Sequence, residues 1–162
     1  MAEVSNSQLF IANLPDMKGV SVVIFRTEWN DAVVSELEKG CRSILDEAGV
    51  NIRVITVPGA FEIPFAVRAY WDAHKYKDDR PRAFIALGCV LRGDTPHFEY
   101  VCRAVTDGVL QLNMTLPLPT IFGVLTVDSQ QQADERIGGI HGHKGKEAAV
   151  TAIKMISLQK TL

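Results

Sequence analysis

The chain has 162 residues, a length typical of one compact domain, with 17 Lys and Arg against 19 Asp and Glu. The formal net charge of −2 gives no basic surface for nucleic acid or an anionic membrane, so any phosphate site must be local. A composition of 47% hydrophobic and 22% charged residues is typical of a globular protein that folds without a disulfide or a metal.

The three cysteines are odd in number and widely spaced, and no two of them form a CxxC motif. We interpret them as reduced intracellular thiols rather than as a disulfide framework or a zinc site. The N-terminal segment lacks the basic-then-apolar pattern of a signal peptide, and no apolar run reaches the ~18 residues that span a membrane. We therefore expect a cytoplasmic protein without nucleic-acid or membrane partners.

Short apolar runs alternate along the chain with longer segments of helical period. The predicted strands are 21–25, 51–57, 83–91 and 120–126. The predicted helices are 30–48, 62–75 and 97–114, followed by a helical stretch that begins near Ser129, is interrupted by glycines 138, 139, 142 and 145, and resumes over 146–158. Strands separated by helices predict right-handed crossovers and a sheet that is covered on both faces.

The predicted fold class is α/β, in a single domain that spans residues 19–162. We expect a three-layer α/β/α sandwich around a mainly parallel four-stranded sheet, in the flavodoxin-like arrangement. Residues 1–18 are an N-terminal arm or an additional edge strand, and both alternatives stay open. Ligands of such sheets bind beyond the carboxyl ends of the strands, and the unusual motifs of this chain fall at those ends.

The segment RGDTPH, residues 92–97, follows the third predicted strand and has the pattern of a helix start. Threonine favours the cap and proline the first helical position, so Thr95 and Pro96 predict the boundary. The N-terminus of a helix binds anions, Arg92 could add charge there, and His97 in the first turn could exchange protons. The alternative is a well-capped helix with an incidental surface histidine.

Aromatic residues lie at or near other strand ends. The segment VPGAFEIP, residues 57–64, places Phe61 where it could line an aromatic substrate and Glu62 where it could accept hydrogen bonds. The alternative is a rigid turn with Phe61 in the core. Trp29 follows the first strand and either stacks on a flat heterocycle or packs as a partly buried residue, which is the commoner case. Phe122 lies within the fourth strand, where core packing is the default.

Two cations lie near the glycines of the C-terminal part. Arg136 could hold a phosphate through its planar guanidinium group, and Lys144 has similar potential. His141 and His143 invite comparison with a metal site, but metal sites need three or four ligands and no further one is evident. We expect no metal and no organic cofactor, and the absence of GxGxxG and GxxxxGK[ST] patterns disfavours dinucleotide or P-loop chemistry.

In chain order, the segments WN, VPGAFEIP, LGCVLRGDTPHFEYV, PTIFGVLT, QADER and GHKGKEAA resemble the lumazine synthases of riboflavin biosynthesis. The resemblance covers residues 21–158 and makes residues 19–162 the catalytic domain. It implies a transferase that condenses 5-amino-6-(D-ribitylamino)uracil with (3S)-3,4-dihydroxy-2-butanone 4-phosphate. The products would be 6,7-dimethyl-8-ribityllumazine, phosphate and water, in the penultimate step of the pathway. The alternative is a non-catalytic flavin-binding, lumazine-binding or shell-forming protein on the same scaffold.

The resemblance also implies the role of each site residue. His97 corresponds to the proton-transfer residue. The uracil substrate would contact Trp29, Ala60, Phe61, Glu62, Cys89, Val90 and Leu91, together with Phe122 from a neighbouring subunit. The phosphate substrate would contact Asp94, Thr95, Arg136 and Lys144. The family's GNKG motif reads GHKG here, with His143 at the asparagine position.

The same resemblance implies a homo-oligomer. Members of the family form pentamers with active sites between subunits, and some close twelve pentamers into an icosahedral shell. Pentameric members of the family have an insertion in the segment that corresponds to residues 136–144, and it resembles a block to shell formation. This chain lacks that insertion, which favours the shell. Riboflavin synthase is a candidate partner.

Overall fold

The computed structural model describes residues 13–162. One four-stranded sheet has the order β2-β1-β3-β4, and its strands are β1 Ser21–Thr27, β2 Asn51–Val57, β3 Ala83–Leu91 and β4 Thr120–Val127. The helices are α1 Asp31–Glu47, α2 Ile63–His74, α3 His97–Thr115, α4 Gln130–Asp134 and α5 Lys144–Thr161. A 3-10 turn, Ala60–Glu62, precedes α2, and a hairpin pairs β5 Ile137–Gly139 with β6 Gly142–His143.

The predicted fold class is confirmed, because every pairing in the four-stranded sheet is parallel and helices cover both faces. The apolar run in β1 shows why both faces need cover. Val22 and Ile24 belong to the core on one face, whereas Val23 and Phe25 belong to the core on the other. This alternation follows from the two-residue period of a strand.

Each face of the sheet has its own pair of helices. Helices α1 and α5 cover the first face, and α2 and α3 cover the second. On α1 the buried residues recur at helical spacing, which makes one side of the helix apolar. These residues are Val33, Val34, Leu37, Gly40, Cys41, Ile44 and Leu45.

The glycine-rich C-terminal part differs from the sequence-based prediction. Helix α5 begins at Lys144 rather than at Lys146, and the stretch before it forms the β5–β6 hairpin. Gly138 and Gly142 have φ angles of 121° and 77°, in the region that favours glycine. A Cβ at Gly145 would lie 2.0 Å from the carbonyl oxygen of Leu37, so this glycine allows α5 to approach α1 closely.

The prediction of an arm or an edge strand at residues 1–18 falls mainly on residues 1–12, which lie outside the described part of the chain. Residues 13–20 run as turns and irregular chain along the core. The Met17 side chain is buried there, and the Met17 N–H donates to the Ala48 carbonyl at 2.8 Å. From residue 13 onward, no helix is long and apolar enough to cross a bilayer.

Candidate active site

The first group of predicted site residues lies at the carboxyl ends of β1, β2 and β3. Because the strands are parallel and Thr27 is in register with Val57, the loops that follow β1 and β2 leave the sheet at the same edge. Strand β3 continues beyond Leu87, the partner of Arg26, and so carries its last residues past the end of β1. The strand ends and the loops that follow them therefore lie at one edge of the sheet, and we call this region the candidate strand-end pocket.

Trp29 and Glu62 approach each other over Gly59. A Cβ at Gly59 would lie 2.7 Å from Trp29 Cε3 and 3.1 Å from Glu62 Oε2, so a side chain there would displace the indole ring. Glu62 Oε2 is buried without a hydrogen-bond partner, and such an acceptor is costly unless a ligand satisfies it. Ala60, which begins the 3-10 turn between them, is buried and supports the turn.

The aromatic side chains of this group are exposed. Trp29 is 63% exposed and Phe61 is 59% exposed. The alternative in which Phe61 packs in the core is therefore wrong, and Trp29 is not the partly buried packing residue that is commoner in proteins. Two flat apolar surfaces at one pocket suit a planar heterocycle.

Asn30 connects the end of β1 with the end of β3. Its Nδ2 donates to the carbonyl oxygen of Cys89 at 2.7 Å, and its backbone has a left-handed φ of 58°. The Asn30 side chain thus joins the loop after β1 to β3 and does not cap α1. Sequence reasoning did not single out Asn30, although an asparagine directly after a strand-end tryptophan is a residue type that tolerates positive φ.

Cys89, Val90 and Leu91 form the last part of β3. Burial raises the pKa of the Cys89 thiol to about 11, so the thiol is protonated near neutral pH. Val90 is half-buried and Leu91 is exposed at the mouth of the pocket. The segment therefore offers backbone groups and small apolar contacts, and no thiolate nucleophile.

The loop after β3 presents three polar side chains to solvent, those of Asp94, Thr95 and His97. Helix α3 begins at His97, as predicted, with Pro96 in the cap position rather than in the first helical position. The Thr95 hydroxyl still accepts from the His97 N–H at 3.4 Å. A Cβ at Gly93 would meet no described atom within 4 Å, so there is open space beside this loop.

Arg92 stabilises this loop and is not free for an anion. Its Nε donates to Asp128 at 2.5 Å, and its Nη1 donates to Glu99 in the first turn of α3. The hydrogen bond from Arg92 is the main reason that the pKa of Glu99 is lowered. The guanidinium carbon also lies 4.1 Å from the centroid of the Phe98 ring. Because two carboxylates pair with Arg92, an anion would have to compete with them, and the expectation that Arg92 adds charge to the anion site stays a prediction.

The second group of predicted residues lies at the outer side of β4, an edge strand of the sheet. Phe122 and Lys144 line a groove of about 790 Å³ between β4, the end of α3 and helix α5. Phe122 is 42% exposed, so the default of core packing is wrong. It pairs with Ala86, whereas the β3–β4 ladder ends at Val127; at about 3.3 Å per residue, this places Phe122 roughly 16 Å from the strand end.

Arg136 and Lys144 are held together by the β5–β6 hairpin. The Lys144 N–H donates to the Arg136 carbonyl at 2.8 Å. Lys144 Nζ contacts the Glu147 carboxylate at 2.8 Å, and Arg136 Nη1 donates to the Gln132 carbonyl at 2.8 Å. Over residues 13–162, no side-chain hydrogen bond or ion pair joins Phe122, Arg136 or Lys144 to the first group. The monomer thus presents two partial sites.

The fold and these sites define a class of protein. It is a single-domain parallel α/β protein with strand order 2-1-3-4, an aromatic and acidic pocket at the strand ends, and paired cations near the sheet edge. The family model described as 6,7-dimethyl-8-ribityllumazine synthase matches residues 19–160, and the chain belongs to this family.

Curated relatives named 6,7-dimethyl-8-ribityllumazine synthase agree with this assignment. The protein from Porphyromonas gingivalis is 46% identical over 151 residues, which cover 91% of each chain. The protein from Parabacteroides distasonis is 44% identical over 148 residues, or 90% of this chain and 89% of the relative. The protein from Phocaeicola vulgatus is 42% identical over 153 residues, or 93% and 88%.

Proposed function

We propose that this protein condenses 5-amino-6-(D-ribitylamino)uracil with (3S)-3,4-dihydroxy-2-butanone 4-phosphate, giving 6,7-dimethyl-8-ribityllumazine, phosphate and water. The observation that carries the proposal is the family match over residues 19–160. The free acceptor on Glu62 and the exposed rings beside it support the proposal, because they suit a flat, hydrogen-bonding substrate.

The uracil substrate occupies the pocket at the strand ends. Trp29 stacks on the pyrimidine, while Ala60, Phe61 and Glu62 hold the ribityl chain and form the pocket wall. The end of β3, Cys89–Leu91, lines the uracil edge through its backbone. The hydrogen bond from Asn30 to the Cys89 carbonyl holds this backbone at the pocket.

The phosphate substrate binds between the loop before α3 and the hairpin. Asp94 and Thr95 lie at the N-terminus of α3, where N–H groups and the helix dipole attract anions. Arg136 and Lys144 supply positive charge, and phosphate would compete with Glu147 for the lysine ammonium. These groups stabilise the phosphate as it leaves.

The reaction itself consists mainly of proton transfers. The primary amine of the uracil attacks the ketone, and water leaves to form an imine. Phosphate is then eliminated and the resulting enol tautomerises to a second ketone. The ribitylamino nitrogen attacks this ketone, and a second water leaves as the ring closes. His97, exposed at the start of α3, accepts and returns protons in these steps, a role worth about 10²–10⁴-fold in rate. Holding both substrates in register supplies a further part of the rate enhancement. The scheme uses no metal or organic cofactor.

The positions of the two partial sites support an active site shared between subunits. Phe122 lies on an edge strand and lines the groove at its outer side, together with Lys144. We therefore infer that Phe122, Arg136 and Lys144 complete the pocket of a neighbouring copy, in a pentamer. We favour a shell of about 60 subunits built from such pentamers, located in the cytoplasm, with riboflavin synthase as a candidate partner.

The function is tested by mixing the two substrates and following lumazine fluorescence together with phosphate release. The uncatalysed condensation is subtracted by running the same mixture without protein. We expect both signals to rise together above this background. No excess over background would refute the enzymatic function and leave the non-catalytic binding alternative.

Two substitutions test the assigned roles. Arg136→Ala is expected to raise KM for the butanone phosphate far more than KM for the uracil substrate, because the guanidinium group would contact only phosphate. His97→Ala is expected mainly to lower kcat. Equal losses in KM for both substrates in Arg136→Ala would contradict the phosphate role.

Mixing these two impaired variants tests whether the site is shared. After joint unfolding and reassembly at equal amounts, about a quarter of the subunit pairs would combine an intact His97 with an intact Arg136 if the residues come from different subunits. Activity should then return to roughly that fraction of wild type. If both residues came from one chain, no intact site would form, and activity would stay at the level of the separate variants.

Size-exclusion chromatography with light scattering tests the assembly. A mass near twelve pentamers is expected. A single peak at the mass of one pentamer would refute the shell but would agree with an active site shared between subunits of the pentamer.

A further inference from the structure

The imidazole ring of His143 fills a notch in helix α1 at Gly40. A Cβ built at Gly40 would lie 2.0 Å from His143 Cε1, 2.4 Å from Nε2 and 2.6 Å from Nδ1. These are the three nearest atoms, so the ring occupies the space that a side chain at Gly40 would need. Gly40 is buried in the middle of α1, where glycine is otherwise an unfavourable residue.

His143 is also part of the hairpin that carries the two cations. It pairs with Ile137, the residue next to Arg136, and it directly precedes Lys144. The backbone hydrogen bond from Lys144 to Arg136 closes this arrangement at 2.8 Å. The contact with Gly40 therefore fixes the hairpin against α1 at a point between both cations.

The ring acts in this contact through its shape. Its Nδ1 is buried and has no hydrogen-bond partner. Burial is the main reason that the pKa of His143 is lowered, with Lys146 adding to the effect and Glu36 and Glu147 opposing it. An uncharged, flat ring thus occupies the notch near neutral pH.

We propose that His143 is a positioning residue for the phosphate end of the active site: seated against Gly40, its ring holds the hairpin so that Arg136 and Lys144 point at the phosphate. The functional part of this inference rests on the proposed phosphate role of the two cations. The packing part rests only on the contact between His143 and Gly40.

A pair of substitutions at the notch tests the packing part. In the wild-type background, Gly40→Ala should displace the ring and lower the midpoint of thermal unfolding. In the His143→Ala background the notch is empty, so Gly40→Ala should raise the midpoint, because alanine is the better helix former. This reversal of sign is the expected result. The proposal would be overturned if Gly40→Ala changed the unfolding midpoint by the same amount in both backgrounds, so that the two substitutions were additive.

Steady-state kinetics of the same variants test the positioning part. Gly40→Ala and His143→Ala should each raise KM for the butanone phosphate, by about tenfold, while KM for the uracil substrate changes by less than about twofold. The double variant should be no worse than His143→Ala alone. His143→Phe keeps a flat ring without a titratable nitrogen and should retain a nearly wild-type KM. Equal increases in both KM values, or a loss in His143→Phe as large as in His143→Ala, would overturn the positioning role.

His141→Ala is the matched control on the same hairpin, since the His141 side chain is 42% exposed and faces Glu135. It should leave both KM values unchanged. Arg136→Ala separates the proposed function from the packing part of the inference. An unchanged KM for the butanone phosphate in this variant would refute the proposed function of the cations. The reversal of the stability effect of Gly40→Ala depends only on the contact between His143 and Gly40. If Gly40→Ala is insoluble, recovery of soluble protein in Gly40→Ala/His143→Ala supports the proposal, and failure to recover it counts against the proposal.

Discussion

Replacement of Asn30 tests how the strand ends are held together. Asn30→Ala removes two features at once: the 2.7 Å hydrogen bond from Nδ2 to the Cys89 carbonyl, and a residue type that tolerates the left-handed φ of 58°. Asn30→Gly removes only the hydrogen bond, because glycine adopts positive φ without steric cost. The two variants therefore separate the hydrogen bond from the backbone strain.

The expected magnitudes follow from these two contributions. Loss of one partly buried hydrogen bond costs about 1 kcal/mol. Placing alanine in the left-handed region costs about 1–2 kcal/mol more. Asn30→Ala should thus destabilise the fold by about 2–3 kcal/mol and lower the midpoint of thermal unfolding by about 4–12 °C, at about 2–4 °C per kcal/mol. Asn30→Gly should lose about 1 kcal/mol and therefore about 2–4 °C.

The assay is thermal unfolding followed by circular dichroism at fixed protein concentration, combined with steady-state kinetics. Both variants should raise KM for the uracil substrate more than KM for the butanone phosphate, because the freed carbonyl belongs to the segment of β3 that we propose lines the uracil. Asn51→Ala, at an exposed asparagine that begins β2, is the control and should change stability by less than about 0.5 kcal/mol. If Asn30→Gly is as unstable as Asn30→Ala, backbone strain does not contribute to the loss of stability. Unchanged midpoints in both variants would refute the stabilising role of both the hydrogen bond and the backbone conformation.

Three further substitutions test other parts of the site. Gly59→Ala should displace the Trp29 ring, shift the tryptophan emission and raise KM for the uracil substrate by about tenfold, because the new Cβ would lie 2.7 Å from the ring. Cys89→Ala should keep kcat within about threefold of wild type in the condensation assay, because the thiol, with its pKa raised to about 11, is not a nucleophile. His143→Phe should flatten the dependence of the unfolding midpoint on pH between about pH 7.5 and pH 5.

The sign of the pH effect follows from the lowered pKa of His143. The unfolded chain, with a histidine pKa of about 6.5, binds a proton more readily than the folded protein does, so wild-type stability falls as the pH drops below that value. The phenylalanine variant lacks this contribution. Parallel pH curves for the two proteins would contradict the lowered pKa of the half-buried His143 ring. An unchanged tryptophan emission in Gly59→Ala, or loss of turnover in Cys89→Ala, would contradict the other two predictions.

Much of the fold could be predicted because its signals are local. The apolar run at β1 predicted a strand buried on both faces, and the bounds of β3 agree with the prediction at both ends. The C-terminal hairpin was missed, because its glycines resemble a helix break when they are read along the chain. Gly145 lies inside the first turn of α5 because the backbone of Leu37 in α1 is too close for a side chain at this position. This contact is visible only in the tertiary structure.

The candidate site divides in the same way. The motif residues at the strand ends could be found, because parallel strands bring their carboxyl ends to one edge whatever the details of packing. Burial could not be read from residue type: Phe61 and Phe122 are exposed where core packing was an alternative or the default. The pairing of Arg92 with Glu99 and Asp128 also depends on contacts across the fold, which no local pattern predicts.

The sequence by itself determined the α/β class, the order of the elements and the choice of candidate site residues, since these depend on period, turn residues and motif. Only the tertiary structure decided which of those residues meet. It placed Phe122 and Lys144 together in the groove at the outer side of β4, an edge strand of the sheet. It also placed His143 against Gly40, a contact between residues about 100 positions apart, which no local pattern predicts because it arises from the packing of the hairpin on α1.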